Sequence, residues 1–119
     1  MNVQHIETAD CNILDTKIFS NEIKIYFDSV YDLEKKKYIS NISLSVFNWS
    51  FFEAKVFISN NSGDSFEEKK LLIHKLEFFE HIQKISIEEN IFILQGYSRE
   101  SGCWLEYCFL DSDFCLKTF

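Results

Sequence analysis

The sequence predicts a mainly β protein, built as an antiparallel sheet or a two-layer β-sandwich of about seven to eight strands. Three observations lead there. Ile and the 13 Phe residues dominate the apolar set, Pro is absent, and Ala occurs only at Ala9 and Ala54. Ile, Phe and Tyr favour a pleated, half-buried surface, whereas a chain with little Ala forms few good helices. In addition, several segments alternate between apolar and polar residues, as strands with one wet face do.

The first half of the chain is predicted to contain four strands. Residues 11–19 form the first, and clear period-two alternation marks the next three. The charged stretch 32–37 is predicted to be a solvated connection, and residues 59–65 carry the strongest loop signal in the chain. The alternating apolar positions are Ile23, Ile25 and Phe27, then Ile42, Leu44 and Val46, then Ala54, Val56 and Ile58.

One helix is expected at residues 66–81. Ser65 and Glu68 have the Ser-x-x-Glu spacing of a capping box, in which each side chain satisfies a free backbone amide of the other. The apolar residues that follow fit helical spacing better than alternation. The competing interpretation is an irregular loop that leads into an earlier strand. These apolar residues are Leu72, Ile73, Leu76 and Phe79.

The C-terminal third returns to period two at Ile85 and Ile87. Turns are predicted at 88–90, 98–102 and 111–113, where Asn, Asp, Ser and Gly are concentrated. They separate strands at 91–94, 104–110 and 114–117. The sequence shows no internal repeat, low-complexity tract or linker, so residues 1–119 are predicted to form a single β-rich domain.

The charge balance limits the partners. Lys and Arg total 12 and Asp and Glu total 19, so 12 − 19 gives a net charge of −7. Nucleic-acid backbones and anionic membranes are bound through Lys and Arg, so neither is an expected partner. A basic protein would be attracted, because a net field speeds the encounter. The plainer alternative is that the acidic charge only keeps a Phe-rich domain in solution.

The expected compartment is the cytoplasm. The N-terminal residues include neither a basic segment nor an apolar core of the kind found in secretory signals. Without such a signal the four cysteines are expected to be reduced. Their spacing matches no common zinc pattern, so buried, unligated thiols are the favoured interpretation. The cysteines are Cys11, Cys103, Cys108 and Cys115.

No catalytic signature is visible, and the chain is predicted not to be an enzyme and to need no cofactor or metal. Its three His residues share no short spacing with one another or with the cysteines, and only three Gly residues are available. A phosphate-cradling loop is hard to build from so few glycines.

Six residues are candidates for contact with a protein partner. Three are acidic side chains around the 32–37 connection, and two share one face of the aromatic strand 104–110. Trp is enriched at interface hot spots. Each tryptophan also has a plainer alternative, a plug in the core, and the Glu on that strand could simply pair with a neighbouring Lys. The candidates are Asp28, Asp32, Glu34, Trp49, Trp104 and Glu106.

The C-terminal half has the layout of a known group of proteins. Residues 93–96 read Ile-Leu-Gln-Gly, and after a short turn residues 102–107 read Gly-Cys-Trp-Leu-Glu-Tyr; Asn-Trp-Ser stands at 48–50. This pattern resembles immunity proteins of bacterial polymorphic-toxin and contact-dependent growth inhibition systems. The resemblance implies a role, which is binding and neutralising a co-encoded toxin domain, and it transfers no residue map.

The expected function is therefore an immunity protein that covers the active site of a cognate, basic toxin, such as a nuclease. Acidic loops and the Trp104/Glu106 face would occlude the nucleic-acid cleft, or an exposed sheet edge would pair with a toxin strand. The alternatives are a small-ligand-binding β-domain or an assembly module that pairs copies through a patch around Phe47, Phe51 and Phe52. Neither alternative requires a toxin partner.

Overall fold

The computed structural model describes residues 2–59 and 66–119, and these form ten strands in two five-stranded antiparallel sheets. The predicted mainly β, antiparallel fold is confirmed. The strand number exceeds the expected seven to eight within this part of the chain. The strands are β1 (Ile6–Glu7), β2 (Ile13–Phe19), β3 (Glu22–Asp32), β4 (Lys37–Phe47), β5 (Phe51–Ser59), β6 (Phe66–Leu71), β7 (Phe79–Glu88), β8 (Ile91–Ser98), β9 (Trp104–Leu110) and β10 (Asp113–Thr118).

The first sheet, sheet A, is built around the long hairpin of β3 and β4. β10 pairs with the free side of β4, and both β1 and β2 pair with the other side of β3. The second sheet, sheet B, has the order β6-β5-β9-β8-β7, so β9 is its central strand. The chain therefore returns to sheet A only at its C-terminal strand.

One hydrophobic core joins the inner faces of the two sheets. The alternation predicted for β3, β4 and β5 is confirmed, because the apolar positions of β3 and β4 and two of the three on β5 are buried. Burial of each such side chain contributes about 1.5–3 kcal/mol. The largest fully buried side chains are Ile23, Ile25, Phe27, Ile42 and Leu44 from sheet A and Phe79, Ile82, Phe92, Leu94, Leu105, Tyr107 and Phe109 from sheet B.

The segment between β1 and β2 covers the outer edge of β7. The Thr8 hydroxyl donates to the Ile82 carbonyl oxygen at 2.8 Å, and His81 Nδ1 lies 3.1 Å from the Cys11 carbonyl oxygen. The Thr8 bond satisfies one backbone carbonyl of a strand edge that would otherwise expose unpaired groups, and the His81 contact holds the covering segment against β7.

The expected helix at 66–81 is wrong. Residues Phe66–Leu71 form β6, Ile73–Lys75 form a single 3-10 turn, and Phe79 already begins β7. Ser65, and with it the predicted capping box and most of the predicted loop 59–65, lies outside the described residues.

The apolar spacing that predicts the helix lies almost entirely between β6 and β7. Leu76 and Phe79 pack in the core, whereas Leu72 and Ile73 are 60% and 55% exposed, so the four residues share no buried face.

β7 itself begins irregularly. The β7–β8 register shifts between Phe79 and His81 and again between Ile82 and Lys84. Each bulge adds a residue, so the core-facing positions Phe79, Ile82 and Ile85 are three apart instead of two.

Two backbones approach each other closely at Gly96. A Cβ added there would lie 1.9 Å from the carbonyl oxygen of His81, on the neighbouring strand β7. A glycine inside a strand often marks such a contact. The second bulge of β7 lies directly opposite, because Gly96 pairs with Ile82.

Replacing this glycine tests the packing of β7 on β8. Gly96→Ala should lower the free energy of unfolding by about 3 kcal/mol, since neither backbone can move without breaking ladder hydrogen bonds. Gly102→Ala is the matched control: its Cβ would meet no atom within 4 Å. It should cost about 1 kcal/mol, because φ is positive there. Urea unfolding of both variants measures the difference, and equal losses would contradict the close approach.

Candidate functional site

The candidate site lies on the outer face of sheet B, and β9 sets its position. Leu105, Tyr107 and Phe109 point into the core and are 0% exposed. Side chains alternate along a strand, so Trp104 and Glu106 point outward, where both are half-buried. The structure thus confirms that these two candidate residues share one face.

Four aromatic side chains form a groove at one end of this face, here called the aromatic groove: Phe57, Phe66, Tyr97 and Trp104. Phe57, Trp104 and Tyr97 stand side by side on β5, β9 and β8. The Tyr97 and Trp104 rings meet edge to face with centroids 5.2 Å apart. The groove has a volume of about 550 Å³, and Phe66 and Tyr97 are 69% and 47% exposed.

A polar row borders the aromatic groove. Glu106 lies between Lys55 and Gln95 on the neighbouring strands. Its Oε1 accepts a hydrogen bond of 2.8 Å from Gln95 Nε2. The Lys55 ammonium points instead to Glu53, at 3.3 Å, and the hydrogen bond to that carboxylate raises the pKa of Lys55. Glu106 therefore keeps its carboxylate at the surface with a neutral partner, which differs from the expected pairing with Lys.

A hydrogen-bonded turn holds the rim of the groove in place. The Ser98 hydroxyl donates to Glu77 Oε1 at 2.6 Å and accepts from the backbone amides of Glu100 and Ser101, each at 3.1 Å. The Tyr107 hydroxyl donates to the Glu77 carbonyl oxygen, and burial raises the pKa of Tyr107. This network fixes the turn between β8 and β9, from which Gly102 and Cys103 line the groove.

The three acidic candidates lie on sheet A and not beside the aromatic groove. Asp28 lies on β3 between the buried residues Phe27 and Val30, and its side chain is exposed. Glu34 lies in the β3–β4 turn and pairs with His5 Nδ1. The structure therefore does not bring the acidic loop and the Trp104/Glu106 face into one continuous surface.

Asp32 has a structural task at that turn. Its Oδ1 accepts hydrogen bonds from the backbone amides of Glu34 and Lys35, at 2.9 and 3.1 Å. An Asp side chain that bonds its own backbone two residues on stabilises a turn. The hydrogen bond from the Lys35 amide is the main cause of the lowered pKa of Asp32.

Trp49 behaves as a core plug. Its ring lies against Phe52 and Phe109, with centroids 5.4 and 5.3 Å away, and it packs on the hydrophobic core as a partly buried residue. The interpretation of Trp49 as an exposed anchor is therefore the weaker one, and Trp104 is the tryptophan at the candidate surface.

Three residues of the groove were missed by sequence reasoning: Phe57, Phe66 and Tyr97. Period two places Phe57 opposite to Val56, which is a signal for an exposed aromatic. It does not reveal that β5, β9 and β8 are neighbours. Phe66 lies in the segment 66–81, where the sequence predicts a helix and the structure has a strand.

The described ranges 2–59 and 66–119 contain no group of three or more His, Cys, Asp and Glu side chains placed to hold a metal ion. The four cysteines are free thiols. In the same ranges no helix combines the length and the apolar character needed to cross a bilayer.

The fold and the site together define a two-sheet antiparallel β domain that presents an open aromatic groove. Comparisons of the chain with models of protein families, with curated proteins and with solved structures give no match.

The two tryptophans should differ in their effect on stability. Trp49→Ala removes a ring that packs on the core and should cost about 3 kcal/mol of unfolding free energy. Trp104→Ala removes a half-exposed ring from the outer face and should cost no more than about 1 kcal/mol. Urea denaturation of both variants measures this, and a larger loss for Trp104→Ala would show that Trp104 is the core residue.

The Asp32 turn should add to the pH dependence of stability. A carboxyl whose pKa is lowered by folding stabilises the native state above its unfolded pKa of about 3.9, and loses this effect as pH falls through the folded value. Asp32→Asn keeps an acceptor oxygen but cannot ionise, so its stability should fall less steeply below pH 4.

Asp32→Ala serves as the comparison, because it removes the acceptor as well. It should be less stable than Asp32→Asn at neutral pH. Thermal unfolding between pH 2 and 7 checks both expectations. An equal loss of stability below pH 4 in Asp32→Asn and in the unsubstituted protein would contradict the contribution of Asp32 to the pH dependence.

Proposed function

We propose that this chain is an immunity protein that binds and neutralises a cognate toxin domain, with the aromatic groove and the neighbouring Glu106 as the centre of its docking surface. The partner is a basic protein, such as a nuclease, and binding covers its active site. The proposed place of action is the cytoplasm, where a toxin would meet its target.

The observation that carries this proposal is the exposed aromatic groove. Exposure of large aromatic side chains to water is energetically unfavourable, and a monomeric domain seldom exposes several together unless they contact a partner. Trp and Tyr are also the residues most enriched among interface hot spots. Trp104 and Tyr97 already hold each other in a fixed edge-to-face geometry, which reduces the side-chain entropy lost on binding.

The net negative charge of the domain supports the proposal of a basic partner. The net charge of −7 would steer a basic toxin toward the domain and suppress encounters with acidic proteins. Glu106 stands at the border of the groove, where it can meet a cationic side chain. Asp28 and Glu34, on sheet A, contribute to the long-range field in this proposal and do not contact the toxin at the groove.

The likeness of residues 93–107 to immunity proteins supports the same role. These residues form most of β8, the anchored turn and the first half of β9. They are thus the segment that supplies Tyr97, Trp104 and Glu106 to the candidate site. The resemblance and the exposed groove therefore concern the same part of the chain.

A second candidate function is binding of a small ligand in the groove. Its volume of about 550 Å³ falls within the range of about 300–1,000 Å³ found for ligand pockets, and its lining is mostly aromatic. Such a domain would show a ligand-dependent rise in melting temperature without any protein partner. The assembly alternative predicts instead a dimer or larger species in gel filtration.

The proposal is tested by capture of the tagged protein from its native host, elution with a salt gradient and a toxicity assay of the partner. We expect one stoichiometric basic protein, encoded beside this chain, whose activity the purified domain inhibits. Recovery of the domain alone, from cells shown to express a neighbouring toxin-like gene, would contradict the proposal.

With the toxin in hand, Trp104→Ala should weaken its binding by about 30-fold, which corresponds to about 2 kcal/mol. Tyr38→Ala is the matched control, because Tyr38 is an aromatic residue on sheet A that is 66% exposed. Calorimetric titration of both variants gives the two affinities. Equal losses, or a loss only in Tyr38→Ala, would place the interface elsewhere.

A further inference from the structure

A second groove lies on the outer face of sheet A, and lysines define it. Lys17 on β2 stands directly opposite Lys24 on β3, and Lys117 on β10 projects from the same face. Lys24 and Lys117 both line a depression of about 360 Å³, here called the lysine groove. Three cations thus share one face of a domain whose net charge is −7.

None of these three lysines forms a direct ion pair with a described residue. Among the residues that the structure describes, no carboxylate oxygen lies within 4.0 Å of the Nζ atom of any of the three. The Lys17 ammonium lies over the Tyr26 ring, 5.3 Å from its centroid. Like charges directly opposite each other on neighbouring strands destabilise a sheet. An anion bound beside Lys24 would weaken this repulsion.

The rest of the lining suits an oxyanion. Hydroxyl and amide side chains surround the two lysines and can donate hydrogen bonds, and hydrogen bonds from cationic groups to phosphate oxygens are the stronger kind. Two phenylalanines complete one end, and one of them, Phe19, is 50% exposed. The polar residues of the lining are Ser20, Asn21, Ser45 and Asn48.

Three acidic residues lie near the lysine groove and limit the size of the anion. Glu22 lines the end next to Phe19, Asp15 stands opposite Tyr26, and Asp113 accepts a hydrogen bond of 3.3 Å from Asn48 Nδ2. A long polyanion would meet all three carboxylates, whereas a compact anion between Lys24 and Lys117 would share the groove with Glu22 alone. The more distant negative charges are screened, since the Debye length is about 8 Å at physiological ionic strength.

We propose that the lysine groove binds a small phosphate-bearing ligand, with Lys24 and Lys117 contacting the phosphate and Lys17 adding its field. The site is on the other sheet from the aromatic groove. It is therefore independent of the proposed toxin binding, and either proposal can fail without the other.

The probes are inorganic pyrophosphate and adenosine monophosphate, titrated separately into isotope-labelled protein and followed by NMR. Saturable shifts of the amides of Lys24, Ser45 and Lys117 are expected with at least one probe, together with a rise in melting temperature. Equal affinities for the two probes would show that the phosphate alone determines binding. Tighter binding of adenosine monophosphate would show that its base also contacts the phenylalanines at the end of the groove. Absence of saturable shifts with both probes at millimolar concentration would overturn the proposal.

Two charge-matched double variants test the location of the site. Lys24→Gln with Lys117→Gln should weaken binding at least about tenfold, because both charge-assisted contacts are lost. Lys69→Gln with Lys84→Gln removes the same charge from exposed positions of sheet B and should leave the affinity within about twofold, since those charges are screened at that distance. Equal weakening by both pairs would show that the ligand responds only to net charge, which would also overturn the proposal.

Discussion

The arrangement of the domain depends on the alternation of side chains along β9. This strand is hydrogen-bonded on both sides, to β5 and to β8, and its three inward residues are completely buried. Because the period of a strand is two, burial of Leu105, Tyr107 and Phe109 forces Trp104 and Glu106 outward. A slip of one residue would bury a carboxylate and expose three core side chains. The candidate surface is therefore fixed by the same constraint that stabilises the core.

The division of the molecule into two sheets has a consequence for function. Sheet B presents an aromatic groove with a rim anchored by the Ser98–Glu77 hydrogen bond. The outer face of sheet A carries lysines, and the β3–β4 turn at one end of the same sheet carries both acidic residues and lysines. Both sheets thus carry charges of both signs, and the net value of −7 does not describe either face. A partner steered by the whole field would still be held by local contacts.

Much of the fold could be predicted from the sequence, because regular alternation reports directly on a buried face. The strands around Ile23, Ile42 and Val56 have that pattern, and the turns that bound β9 are marked by polar residues and Gly102. Prediction failed at residues 66–81 for two physical reasons. β6 is an edge strand with charged residues on both faces, so it has no hydrophobic period. The segment between β6 and β7 then has apolar residues at helical spacing, although Leu72 and Ile73 are exposed and only Leu76 packs on the core.

The candidate site could be predicted only in part. Alternation along β9 placed Trp104 and Glu106 together, but the neighbours of a strand depend on long-range pairing that no local pattern encodes, so Phe57 and Tyr97 were missed. The central claim, that the outer face of sheet B is the docking surface, is tested most directly by hydroxyl-radical footprinting of the domain with and without its toxin. Trp104 and Tyr97 should lose reactivity in the complex while Tyr38 keeps it; protection of Tyr38 with unchanged Trp104 and Tyr97 would contradict the account.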